Sequence, residues 1–79
     1  MTTEQQTPAP APQPQGSHHW VLTLELPGRA MTTRSGTWTP PSGTTRYDVL
    51  KAIQNEIAQR DPEMARANVV FWSIEPNQL

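Results

Sequence analysis

From His19 to Leu26 apolar and polar residues alternate. Trp20, Leu22, Leu24 and Leu26 fall on one side of an extended chain, and Val21, Thr23 and Glu25 on the other, the pattern of a half-buried strand. Pro27-Gly28 then supplies the two central residues of a type II turn, which twists poorly with a two-residue hairpin and so predicts a looser connection. Ala30 to Thr39 is rich in threonine, with Met31 and Trp38 its only large apolar groups. It reads as a polar edge strand with Gly36 at a bend, stopped by Pro40-Pro41, which cannot donate to a ladder.

Thr45-Arg46-Tyr47-Asp48 has the form of a capping box and predicts a helix from that point. Tyr47, Leu50, Ile53 and Ile57 recur at helical spacing with Val49 beside them, and Arg60 suits the C-terminal end of the macrodipole. Asp61-Pro62 ends that helix and opens a short turn through Arg66. Asn68 to Ile74 is β-branched and aromatic, too short for a helix, and bounded by Pro76. It predicts the last strand.

The order is therefore strand, strand, helix, strand. The simplest packing places the last strand parallel to the first and beside it, so the expected fold is α+β, with one helix on a three-stranded mixed sheet of order 2-1-3. This element order resembles a minimal β-grasp. The C-terminal Glu75-Pro76-Asn77-Gln78-Leu79 lacks a Gly-Gly pair, so the resemblance does not imply a ubiquitin-like carrier role.

One helix covers one face. Trp20, Leu22 and Leu24, with Val70, Trp72 and Ile74, are assigned to the covered side, which leaves Val21, Val69, Phe71 and Ser73 on the other. A strand apolar on both faces normally has both covered, and in this order the last strand is also an edge with no charge before Glu75. Val21, Val69, Phe71 and Ser73 are thus the expected interaction residues. The expected partner is a second copy or another protein's strand; the alternative cover is the N-terminal tail or the Pro40–Thr44 loop.

Composition narrows the classes further. The chain has 79 residues, nine prolines, no cysteine and a net charge of −1. Disulfides, thiolate zinc sites and cysteine nucleophiles are excluded, and there is no basic field of the kind that nucleic acids or anionic membranes attract. Residues 1–17 are rich in proline, glutamine and threonine and hold no large apolar group after Met1. They read as a disordered polyproline-II spacer ahead of an ordered domain over residues 18–79. Pro8, Pro10, Pro12 and Pro14 stand at even spacings, which does not fit PxxP recognition. With no signal segment and no long apolar run, the expected compartment is the cytoplasm.

Catalytic chemistry finds little support. His18 and His19 are neighbours in a strand and point to opposite faces, a poor chelating pair. No two carboxylates are placed as acid and base, no serine stands in a nucleophile elbow, and Gly28, Gly36 and Gly43 are single turn residues and not a phosphate-cradling loop. No cofactor or metal is expected. The expectation is a non-enzymatic interaction module that associates with itself through the outer sheet face or the C-terminal edge strand. The alternative is an accessory single-stranded nucleic-acid binder using Arg29, Arg34 and Trp38 as a cationic and aromatic platform.

Overall fold

A computed structural model describes residues 14–79; residues 1–13, with most of the expected spacer, lie outside the described residues. The chain forms β1 (His18–Leu26), β2 (Ala30–Trp38), α1 (Arg46–Arg60), a 3-10 turn (Pro62–Arg66) and β3 (Asn68–Pro76). The fold is α+β, and the strand order is β2-β1-β3 as the sequence predicts. The β1–β2 connection is a turn in which the Arg29 amide donates to the Leu26 carbonyl at 2.9 Å. Gly28 has the positive φ of +76° that its third position requires. The hairpin pairs Leu26 with Ala30 and His18 with Trp38.

The helix starts where expected. The Thr45 hydroxyl accepts from the Asp48 amide at 3.1 Å, and the Asp48 carboxylate accepts from the Thr45 amide at 3.2 Å, satisfying two orphan donors at once. Its buried residues are Val49, Ile53 and Ile57, with Leu50 packed at their side. Tyr47, expected in that stripe, is 65% exposed. Six residues before Ile53, it sits about 120° around the helix at 3.6 residues per turn, and the Lys51 ammonium lies 5.8 Å from its ring centre.

The direction of β3 corrects the sequence expectation. Both pairings of β1 are antiparallel, so the sheet is antiparallel throughout instead of mixed. The reason is a matter of ends. β2 finishes beside the start of β1, and one pass of α1, about 22 Å at 1.5 Å per residue, carries the chain most of the way to the opposite end. The 3-10 turn completes the traverse, and β3 begins where β1 finishes, with Asn68 opposite Glu25. A parallel third strand would have required a second return.

A bulge also corrects the facing at the start of β3. Thr23 pairs with Phe71 and Leu24 with Val69, so Val69 and Val70 together oppose Leu24. Val69 is thereby in register with the helix-covered row and leaves the outer row to which strict alternation assigned it. The core comprises Leu22, Leu24, Leu26, Val49, Ile53, Ile57 and Met64, with Trp20, Trp38, Trp72 and Ile74 packed against it. Met64 is supplied by the 3-10 turn, which closes the Leu26 end of the core.

Candidate interaction surfaces

Among the described residues, three surfaces surround this small core: the outer sheet face, the unpaired edge of β3, and a groove between β2 and α1. In an antiparallel pair, residues directly opposite each other share a face. Val21 is paired with Ser35 on one side and Ser73 on the other, so these three form one cross-sheet row on the side away from α1. The next row is Thr33, Thr23 and Phe71, with the two threonine hydroxyls 2.8 Å apart. Val21, Phe71 and Ser73 therefore share the outer face as expected, and Phe71 is 52% exposed there.

The two edges differ in chemistry. β2 presents Thr32, Thr33, Arg34, Ser35, Gly36 and Thr37, polar side chains that keep an unpaired ladder solvated. β3 runs Val69-Val70-Phe71-Trp72-Ser73-Ile74 with no charge between Asn68 and Glu75. Its bulge is confined to Val69-Val70, and from Phe71 to Pro76 the pairing to β1 is regular. Trp72 turns inward opposite Leu22, as expected, and its Nε1 is buried with no hydrogen-bond partner among the described residues.

The groove of about 440 Å³ is lined by Trp20, Arg34, Trp38, Ile53, Glu56 and Arg60, among others. Its floor follows from one pairing: Gly36 lies opposite Trp20, and a Cβ there would sit 3.2–3.3 Å from the indole. The missing side chain lets the ring lie over the β2 backbone. Trp38 and Arg34 flank Gly36 on the same face. Arg34 Nε donates to Thr32 Oγ1 at 3.2 Å. Arg29 takes no part in this groove. It stands in the β1–β2 turn, at the far end of the hairpin from Trp38, and pairs with Glu63 at 2.9 Å. The structure thus brings Arg34 and Trp38 together and separates Arg29 from both, correcting the expected three-residue platform. Trp20, which the sequence pattern assigns to the core, is the aromatic residue it adds.

A second feature lies ahead of β1. The Ser17 amide donates to Thr39 Oγ1 at 3.0 Å and the Gly16 amide to Thr37 Oγ1 at 2.9 Å. Asn77 Nδ2 donates to Gln15 Oε1 and to the Gly16 carbonyl, and the Asn77 amide to the Ser17 carbonyl. The chain is thus held from Gln15 onward by Thr37 of β2 and by Thr39 and Asn77, just past the ends of β2 and β3. No local sequence pattern marks these contacts, since the partners lie more than twenty residues away.

His18 pairs with Trp38 and its neighbour His19 with Thr37, on opposite faces as expected, and the Ser17 hydroxyl lies 2.8 Å from His18 Nδ1. Among the described residues, no three histidine, aspartate or glutamate side chains are placed to hold a metal ion, and no helix is long and apolar enough to cross a membrane. Compared with known proteins, the chain matches no family model, no curated protein and no solved structure.

Proposed function

We propose that this chain is a small non-enzymatic interaction module that associates with a second copy by antiparallel pairing of the two β3 edges across a two-fold axis. The architecture is then a β-grasp-like 2-1-3 order with its third strand reversed, doubled into a six-stranded antiparallel sheet. The observation that carries this reading is the edge itself. Phe71 to Ile74 is regular, uncharged and, among the described residues, at the unpaired side of the sheet, and Val70 and Phe71 are each 52% exposed. An open edge of this kind is a template for another strand. A copy of the same strand, run antiparallel, presents the same apolar sequence to itself, as a two-fold contact requires. Of the expected interaction residues, Val69, Phe71 and Ser73 belong to this strand. Val21 belongs to the outer row beneath it.

Sedimentation of the full chain over a range of concentrations tests the reading. The wild type is expected to form a dimer that is insensitive to salt, because backbone hydrogen bonds and apolar contacts hold it. A monomer at every concentration would sink the proposal. One observation favours a second reading: Trp20, Trp38 and Arg34 line one groove, which suits an unpaired base stacked on an indole beside a guanidinium. A monomer that changes its sedimentation only on addition of a single-stranded oligonucleotide, and less so at high salt, would favour that reading over the dimer.

A further inference from the structure

We propose that the groove between β2 and α1 is a binding site for a small planar aromatic carboxylate, its ring held against the Trp20 and Trp38 indoles and its anionic group forked by Arg34. The inference is independent of the β3-edge pairing, because the groove lies at the opposite side of the sheet. Its first support is Arg34, half-buried in a groove walled by the two indoles and by Ile53 and Ile57 of α1. Among the described residues no carboxylate lies within salt-bridge distance of it, whereas Arg29 is paired with Glu63 and Arg60 lies 3.9 Å from Glu56. Its Nε donates to Thr32 Oγ1 at 3.2 Å. That bond orients the guanidinium and leaves its two Nη groups, a matched pair of donors for a carboxylate. A guanidinium drawn partly out of water without a counter-charge is costly, and an anion brought to it there is held more firmly than one at an exposed arginine.

The floor beside Arg34 is the second support. On this face of β2 the order along the strand is Trp38, Gly36, Arg34, and the Trp20 indole occupies the space over Gly36 that a side chain would take. Both indoles are half-buried, so flat aromatic area stays open to a ring, with the aliphatic side chains of α1 facing it. Gly36 is two residues from Arg34, about 7 Å at a strand's rise of about 3.3 Å per residue, so one small molecule reaches both the indole and the guanidinium. A volume of about 440 Å³ is of the size that small molecules occupy. Charge then selects among aromatic ligands. The charged groups lining the groove are Arg34, Arg60 and Glu56, two cations against one anion, an excess that a single carboxylate neutralises. A nucleic-acid strand wants several cations along its phosphates, and Arg29 stands at the far end of the hairpin in its own ion pair. A cationic ring would be repelled by Arg34.

The three tryptophans give three indole N–H resonances in the isotope-labelled full chain, and 2-naphthoate is the probe. On titration, the resonances of Trp20 and Trp38 are expected to shift and to saturate at one naphthoate per chain, in monomer and dimer alike. That of Trp72, whose Nε1 is buried outside the groove, should stay in place. 2-Naphthamide keeps the ring and loses the charge, and should bind about tenfold more weakly. Arg34→Gln should weaken naphthoate by about tenfold and leave naphthamide unchanged, a difference that mere loosening of the fold would not produce. Arg29→Gln makes the same change of charge outside the groove and should leave both affinities unchanged. If Arg34→Gln does not fold, the comparison of naphthoate with naphthamide on the wild type still decides. Shifts that do not saturate, equal affinity for naphthoate and naphthamide, or an equal loss of both in Arg34→Gln would overturn the proposal. So would octathymidylate that binds more tightly than naphthoate and displaces it, which would assign the groove to a nucleic-acid strand.

Discussion

Ser35 and Ser73 flank Val21 in one row of one sheet face, yet the strands that carry them are built for opposite ends. β2 carries no apolar side chain from Thr32 to Thr37, holds Arg34, and thins to Gly36 where Trp20 leans over it. β3 is apolar on both sides, carries no charge from Val69 to Ile74, and turns the half-buried Trp72 against the core opposite Leu22. Both are edges of the same three-stranded sheet. The difference teaches that two edges with alike backbone groups are told apart by their side chains, and the proposed association assigns the pairing edge on that ground alone.

The largest effect should separate the two tryptophans. Trp72→Ala is expected to cost about 3–5 kcal/mol, enough to unfold a domain of this size, whereas Trp38→Ala, at the open groove and the end of the sheet, should cost about 1–3 kcal/mol. Urea denaturation followed by circular dichroism reads both. Trp72→Phe sharpens the point, since it discards a buried N–H that has no acceptor among the described residues. Its cost should stay below about 2 kcal/mol, the lost area being offset by relief of that desolvated donor.

Association should divide the matched serines next. Ser73→Lys puts a cation on each copy close to the proposed two-fold axis and should abolish the association proposed for the wild type in sedimentation. Ser35→Lys, in the same row on β2, should leave it unchanged. Ser35 is exposed and Ser73 half-buried on the solvent side of the sheet, so each substitution should alter the protomer's own stability by about 1 kcal/mol or less. Equal loss of association from both would remove the distinction between the edges.

Smaller effects probe what shapes β2. Gly36→Ala must push the Trp20 indole away from contacts at 3.2–3.3 Å and should cost about 1 kcal/mol in thermal unfolding, with the emission of the tryptophans shifted. Arg29→Ala removes an exposed ion pair to Glu63 and should cost at most about 1 kcal/mol, declining with salt.

What was legible in the sequence was local. Alternation marked β1 and the inward row Trp20, Leu22, Leu24 and Leu26, the Thr45–Asp48 spacing marked the helix start, and Pro27-Gly28 marked the turn. The sense of β3 was not legible, because it depends on which end of the sheet a single helix reaches and not on anything in Asn68–Pro76 itself. Nor was the bulge, since Val69 and Val70 suit either face and alternation has no means of announcing an extra residue. Tyr47 was misread because apolar character at the first turn of a helix continued a stripe that geometry had already carried past it. The pairing of Arg34 with Trp38 was visible in their shared phase. The exclusion of Arg29 required the register and the partner Glu63, both of which lie outside any local window.

The most direct measurement of the central claim is amide hydrogen exchange, residue by residue, on those N–H groups of β2 and β3 that point away from β1. At concentrations where the chain sediments as a dimer, the outward amides between Phe71 and Ile74 should be protected, and the outward amides of β2 should exchange freely; dilution, or Ser73→Lys, should erase the β3 protection alone. Outward β3 amides that exchange as fast as those of β2 at every concentration would contradict the account.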